Sequence, residues 1–142
     1  MAWTNPKTWA ATTLTSGDLN THVRDNLDYL KENIGLEAAV ELTIAVGVVT
    51  KTKAYHTITV EGGAGSGNDD LDQMLGGVEG DRVVLKATTS GGADTVTVKN
   101  AVGADLFILE GGLDFAMDHV DDRIEVMHDG TQWVELSRSD NS

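Results

Sequence analysis

The clearest indication of the fold lies in residues 82–138, which read RVVLKATTSGGADTVTVKNAVGADLFILEGGLDFAMDHVDDRIEVMHDGTQWVELSR. Short runs rich in β-branched and aromatic residues recur here at a spacing of about 10 residues. Between them stand turn sequences with glycine, asparagine or aspartate, which are Gly91-Gly92, 100–103, Gly111-Gly112 and Asp129-Gly130. This rhythm predicts a mainly β domain, built as an antiparallel β-sandwich, a jelly roll or a small barrel.

Eight strands are predicted in this segment and upstream of it. They cover residues 40–46, 55–60, 82–88, 94–99, 105–110, 113–117, 123–127 and 132–138. The first shows a period of two, in which Val40, Leu42, Ile44 and Val46 alternate with other residues. Between the second and third strands we expect a long loop that leads into a short helical turn over residues 70–75.

The last two strands form a predicted hairpin around Asp129-Gly130. A three-residue turn over 128–130 places four apolar residues on one face, which are Ile124, Val126, Val134 and Leu136. The opposite face then carries Trp133 together with Met127. The pattern therefore predicts an exposed Trp133, unless another surface covers it.

The chain divides near Gly35 into two parts of different composition. Residues 1–35 have a net charge of −1, whereas residues 36–142 have a net charge of −12 and contain fourteen of the sixteen glycines. We therefore predict an extended arm over residues 1–17, a helix over residues 18–35 and the β domain over residues 36–142.

The predicted helix carries one narrow apolar stripe. Its members are spaced by three or four residues and are Leu19, Val23, Leu27, Leu30 and Ile34. Ser16 or Asp18 is the expected N-cap, and Gly35 stands where a helix ends. The stripe either covers one side of the β domain or forms the seam of a short helical bundle between subunits. In the second arrangement its five residues form the oligomer interface, which is the role that we predict for them.

Two tryptophans, Trp3 and Trp9, stand in the arm, where neither a helical nor a strand period is present. A tryptophan buries ~150–250 Å² of surface, so two of them on an irregular segment need a surface to pack on. Pro6 lies between them and restricts the backbone. We predict that Trp3, Pro6 and Trp9 dock on a partner, with packing on the chain's own domain as the alternative.

Composition excludes several classes of protein. The chain of 142 residues has a net charge of −13, which argues against nucleic acid as a partner, because such a surface needs clustered cations. It has no cysteine, so disulfide frameworks and thiolate metal sites are excluded. No apolar run approaches the ~18 residues of a membrane span. Nothing at the start is typical of a signal peptide.

No pattern in the sequence indicates an enzyme, a cofactor or a firm metal site. The four histidines lack the spacing of a zinc pair on a helix, and neither a G-x-S-x-G nor a Walker motif occurs. The only calcium candidates follow a glycine-rich stretch and are Asn68, Asp69, Asp70 and Asp72. We therefore expect a structural or interaction protein.

The two ends of the chain resemble a known class of proteins. Residues 14–31, LTSGDLNTHVRDNLDYLK, follow the two tryptophans and look like the start of small virion proteins of tailed bacteriophages. The ending over residues 129–139, DGTQWVELSRS, is similar to the C-terminal hairpin of many phage fibre, spike and decoration proteins.

This resemblance implies a virion structural protein, made in the host cytoplasm, homotrimeric and bound to other virion proteins such as the major capsid protein. The short chain without a fibrous repeat favours capsid decoration over a tail fibre, spike or other tail appendage. A carbohydrate-binding β-sandwich module is the alternative from another class, and it would use exposed aromatic residues such as Tyr55 and Trp133.

Overall fold

The structure is a computed structural model and describes residues 15–34, 37–88 and 94–141. It is mainly β, with 42% strand and 17% helix, which confirms the predicted class. Residues 1–14, which include Trp3, Pro6 and Trp9, and the expected helix end at Gly35 lie outside the described residues.

The predicted helix is present and begins two residues earlier than expected. It consists of α1 (Ser16–Leu19), a π-helical turn (Asn20–Arg24) and α2 (Asp25–Asn33). Thr15 is the N-cap, because its hydroxyl accepts from the backbone N–H of Asp18 and the Asp18 carboxylate accepts in return from the backbone N–H of Thr15. The expected caps, Ser16 and Asp18, are therefore wrong: Asp18 takes the third position of a capping box.

Eleven strands are described. They are β1 (Val40–Thr43), β2 (Val48–Thr50), β3 (Tyr55–Thr59), β4 (Asn68–Leu71), β5 (Gln73–Leu75), β6 (Arg82–Ala87), β7 (Thr95–Val98), β8 (Phe107–Ile108), β9 (Phe115–Met117), β10 (Arg123–His128) and β11 (Trp133–Ser139). No local sequence pattern predicted β2, β4 or β5. The predicted helical turn at 70–75 is wrong, because Leu71 pairs with β7 and Met74 pairs with β2, and both side chains are buried.

The strands form three sheets of mixed direction. A six-stranded sheet, here called the large sheet, has the order β1-β3-β6-β10-β11-β8; the other two are β4-β7-β9 and β2-β5. Five of the eight pairs between described strands are parallel. The predicted antiparallel arrangement is therefore wrong. Between β1 and β7 the chain passes from one sheet to the next and then returns to a sheet that it has already entered. Each returning strand lies beside the earlier strand of that sheet and runs parallel to it, which gives a solenoid-like arrangement.

The core is one hydrophobic cluster with contributions from all three sheets. Every second residue of β6, β7 and β10 faces inward. The fully buried apolar residues include Ile58, Leu71, Met74, Val83, Leu85, Val96, Val98, Phe107, Met117, Ile124, Val126 and Trp133. Because the described helix contributes no residue to this cluster, the β domain contains its own core.

The terminal hairpin differs from its prediction. Its loop has four residues, 129–132, and is closed by the Asp129 carboxylate, which accepts from the backbone N–H groups of Thr131 and Gln132. His128 therefore pairs with Trp133, and a bulge between Glu125 and Val126 shifts the register farther along. The prediction of an exposed Trp133 is wrong, because its side chain faces the core and is 0% exposed.

Candidate functional site

The most distinctive feature of the described surface is the apolar stripe on the helix. All five of its side chains are exposed: Leu19 48%, Val23 42%, Leu27 58%, Leu30 39% and Ile34 60%. Contiguous exposed apolar surface of this kind marks an interaction site in a soluble protein. The first of its two predicted roles was to cover the β domain of its own chain, and the exposed stripe does not do so. Its role as the oligomer interface stays a prediction.

The helix is fixed to the β domain at its C-terminal end. The backbone N–H of Ala54 donates to the carbonyl of Glu32 at 2.9 Å. Glu37 accepts from the ammonium groups of Lys31, with Nζ and Oε1 2.8 Å apart, and of Lys53. These hydrogen bonds lower the pKa of the Glu37 carboxyl to about 2. The contacts position the helix and leave its apolar stripe exposed.

Beside this attachment point lies the outer face of the large sheet. The side chains that face away from the core are half-buried or exposed and are Tyr55 and Thr57 on β3, Arg82, Val84 and Lys86 on β6, and Arg123, Glu125 and Met127 on β10. A groove of about 390 Å³ runs over the face from Ile34 and Ala54 to Val84 and Glu125. Val84 also lines two adjoining depressions of about 200 and 230 Å³, so it stands at the centre of the face.

This face carries charged side chains of both signs around its apolar centre. Its cations are Arg82, Lys86 and Arg123, and its carboxylates are Glu41 on β1, Glu125 on β10 and Asp81 in the groove. The Arg82 guanidinium lies 2.6 Å from Glu125, and the Arg123 guanidinium lies 3.6 Å from Asp121. Within the part of the chain that the structure describes, Lys86 has no ion-pair partner. The cations of this face are thus largely balanced by carboxylates, with Lys86 as the exception among the described residues.

The four calcium candidates do not converge on one point. Asn68 and Asp70 point to one side of β4, and Asp69 points to the other, where its carboxylate accepts from the backbone N–H of Glu61 at 2.7 Å. Asp72 follows the strand and lies against Gly47, where burial raises the pKa of its carboxyl. Across the described ranges, no three His, Cys, Asp or Glu side chains are grouped to hold a metal ion. The predicted calcium set is therefore not assembled.

A buried carboxylate that the sequence analysis missed fixes the glycine-rich loop between β3 and β4. Asp94 is 1% exposed and accepts from the backbone N–H groups of Gly65 and Gly67 at 2.6 and 2.7 Å. Both glycines have a positive φ, of 88° and 106°, which other residues rarely adopt. No local pattern signals this contact, because the loop and the aspartate are 27 to 29 residues apart.

Two buried histidines have structural partners. His56 donates from Nδ1 to the carbonyl of Val40 at 3.0 Å and accepts at Nε2 from the backbone N–H groups of Thr52 and Lys53. Burial lowers the pKa of the His56 imidazole. His128 packs edge-on against the Trp133 indole, with ring centroids 4.9 Å apart. Sequence reasoning assigned no role to either histidine, although His56 joins β1 to β3.

No protein-family model, curated protein or solved structure matches this chain. None of the helices that the structure describes is long and apolar enough to cross a membrane. The site is therefore defined by its geometry alone: an exposed apolar helix stripe beside a sheet face with apolar and charged side chains. The docking role of Trp3, Pro6 and Trp9 stays a prediction, since these residues lie outside the described ranges.

Proposed function

We propose that this protein is a non-enzymatic structural subunit of a tailed-phage virion that associates with itself as a homotrimer and decorates the capsid surface. The observation that carries the proposal is the helix stripe. Five apolar side chains, 39% to 60% exposed, stand on a helix that is fixed at one end to a β domain with its own core. Such a surface is stable in water when a second protein surface covers it.

The virion assignment rests on the resemblance of residues 14–31 and 129–139 to phage structural proteins. A tail fibre, spike or other tail-appendage component is the alternative within the same class. Capsid decoration is preferred because the described part of the chain folds around one core. The major capsid protein is then the expected partner, and the tryptophan arm is its expected docking element.

The carbohydrate-binding alternative needs exposed aromatic residues, and one of the two that were predicted for it is inaccessible. The indole of Trp133 is fully buried, so a sugar ring has no access to it. Tyr55 remains half-buried on the outer face of the large sheet. A single partly covered ring is a poor platform for carbohydrate stacking, so we retain this function only as an outcome of the tests.

The self-association is tested by sedimentation equilibrium of the full chain at micromolar concentration. We expect a mass of about 45 kDa, three times the 15.1 kDa of one chain. Leu27→Ser, which interrupts the stripe, should shift the mass toward a single chain. Leu113→Ser is the matched control, because Leu113 is 70% exposed but lies outside the helix. A folded wild-type chain of 15.1 kDa would contradict the proposal.

The site of attachment is tested by co-sedimentation with purified particles of the phage that encodes the chain. Binding to tailless capsids supports decoration, whereas binding only to isolated tails supports the tail-appendage alternative. A glycan array provides the third comparison. Binding of a defined sugar, without binding to either particle, would replace the virion proposal with the carbohydrate-binding one.

A further inference from the structure

The helix has a second row of side chains, which is polar and yet covered. Asp18, His22, Asn26 and Tyr29, here called the polar row, each stand one residue before a member of the apolar stripe, about 100° round the helix from it. Three of them are half-buried, and Asn26 is only 7% exposed. The stripe is 39% to 60% exposed. This burial is the reverse of what water favours, since polar side chains are usually the exposed ones.

The β domain does not account for this cover. The contacts that fix the helix to the domain involve Lys31 and Glu32, at the C-terminal end of the helix. Asn26 precedes Glu32 by six residues, which is about 9 Å along the helix axis. None of the described strands packs along the helix. Because the burial of Asn26 is present in a single chain, the covering segment belongs to that same chain.

Three segments before the last residue lie outside the described ranges, and two of them are badly placed to cover the polar row. Residues 35–36 join the helix to the β domain and are too few to return along it. Residues 89–93 follow β6, which runs parallel to β3 and leaves the large sheet at the end away from Ala54, where the helix is attached. Residues 1–14 remain, and they join the helix directly at Thr15.

We propose that residues 1–14 turn back at Thr15 and lie along the polar row of their own helix. The backbone enters the helix extended, with φ −96° and ψ 159° at Thr15. Fourteen extended residues reach up to about 46 Å, whereas the row from Asp18 to Tyr29 is about 17 Å long. The point of attachment and the length of residues 1–14 are therefore both sufficient.

The chemistry of the two segments is complementary. Residues 1–14 carry one cation, Lys7, and no acidic residue, whereas residues 16–33 carry four acidic and two basic side chains. The buried Asn26 amide has both donor and acceptor atoms, and the backbone of an extended segment supplies a counterpart for each. Tyr29 offers a ring on which an aromatic side chain of the arm can pack.

The helix then has two separate surfaces. The arm with Trp3 and Trp9 lies on one side, and the apolar stripe stays exposed on the other. This arrangement goes beyond the proposed function and does not depend on self-association, because one chain supplies both the arm and the row that it covers.

Thiol labelling tests the arrangement, since the natural sequence has no cysteine. Asn26→Cys is compared with Asn20→Cys, at an exposed residue of the same helix, in the complete chain and in a chain without residues 1–14. We expect removal of residues 1–14 to raise the labelling rate at residue 26 more than tenfold and to leave the rate at residue 20 unchanged. An unchanged rate at residue 26, with the helix retained by circular dichroism, would overturn the proposal.

Nuclear magnetic resonance of the complete chain gives a second measurement that needs no deletion. A nitroxide is attached at Thr8→Cys, and the broadening of backbone amide signals is measured. We expect the signals of Asn26 and Tyr29 to lose most of their intensity, whereas the signal of Leu113, an exposed residue outside the helix, should keep it.

Two results would overturn the proposal. Absence of broadening at Asn26 and Tyr29 would place residues 1–14 elsewhere. Broadening that appears only when isotope-labelled chains are mixed with spin-labelled ones would assign the arm to a neighbouring copy. A monomeric wild-type chain that shows the expected broadening would support this arrangement and contradict the proposed self-association, so the two proposals fail separately.

Discussion

The indole Nε1–H of Trp133 donates a hydrogen bond of 2.6 Å to the backbone carbonyl of Met74, a residue 59 positions earlier in the chain. The contact joins β11 of the large sheet to β5 of the two-stranded sheet. Both side chains are fully buried, and His128 packs against the other side of the indole. This contact ties two of the three sheets together across the core.

Gly77→Ala should strongly destabilise the domain, because this glycine lies against the same pair of rings. A methyl group at residue 77 would stand 2.4 Å from a ring carbon of His128 and 2.7 Å from a ring carbon of Trp133. Overpacking of this kind costs about 2 kcal/mol. Thermal denaturation measures the loss. A methyl group at residue 17 on the helix would make only an ordinary contact of 3.7 Å with the Thr15 hydroxyl oxygen, so Gly17→Ala should change the melting temperature little.

Val46→Asn should stabilise the protein by about 1 kcal/mol, since a β-branched residue is strained at positive φ and asparagine is not. Val46 has a φ of 51° and forms, with Gly47, a two-residue turn closed by hydrogen bonds between Ala45 and Val48. Its side chain is 84% exposed, so the substitution removes no packing. Val78→Asn, at an exposed residue without positive φ, should give no gain in urea denaturation.

The stability of the domain should fall as the pH decreases below about 6.5 because of His56. Burial lowers the pKa of its imidazole below the ordinary 6.5, so the unfolded chain takes up a proton more readily than the folded one. The stabilisation is thus complete above about pH 6.5 and is lost as the pH falls toward the lowered pKa of the folded state. Melting temperatures measured across this range should decline more steeply for the wild type than for His56→Gln.

The two carboxylates with strongly lowered pKa values do not contribute to the change in this interval. Glu37 and Asp129 have pKa values of about 2 in the folded protein, against ordinary values of 4.5 and 3.8. Their stabilisation is present above those ordinary values and is lost only at lower pH. An equal slope in the wild type and in His56→Gln would show that His56 does not govern the acid sensitivity. His119→Gln, in the turn before β10, is the matched substitution.

Changing both Trp3 and Trp9 to alanine should weaken attachment to the virion more than tenfold, since aromatic anchors commonly contribute ~2 kcal/mol or more each. The melting temperature of the isolated protein should barely move. Co-sedimentation with capsids and thermal denaturation are measured on the same variant. A variant that melts far lower yet binds particles normally would place both tryptophans in the chain's own core.

Deleting residues 1–35 should leave a cooperatively folded β domain, because no described residue before Ile44 belongs to the hydrophobic cluster. The shortened chain should lose self-association along with the helix stripe. Circular dichroism and sedimentation equilibrium give the two readouts. Loss of the β-type spectrum would show that the helix is needed for the core to form.

Local patterns predicted the strands well where a run of β-formers ends in a glycine-rich turn, as at β6, β7 and β10. They failed at β4, where Asn68, Asp69 and Asp70 are poor strand formers. Their backbones pair with β7, and Leu71 is buried, so tertiary contacts override the local preference. The alternation of apolar residues also predicted that Val46 belongs to a strand. The strand ends before this residue, because the chain turns there.

Long-range features of the site could not be derived from spacing. The narrow stripe on the helix was visible in the sequence, because a period of three to four residues is a local property. The grouping of Arg82, Lys86 and Arg123 on the sheet face was not, since these residues meet only through the pairing of β6 with β10. The sequence also contains no local pattern that indicates parallel strand pairing, because strand direction depends on how the intervening segments cross between sheets.

The contact between Trp133 and Met74 also governs when the subunit can form. During synthesis β1 and β3 leave the ribosome first, yet β3 pairs with β6, and β6 pairs with β10 near the end of the chain. Pairings so distant in sequence close late and slowly. We therefore expect core residues of the early strands to stay partly exposed until β10 and Trp133 have left the ribosome, which makes the nascent chain prone to aggregation before that point.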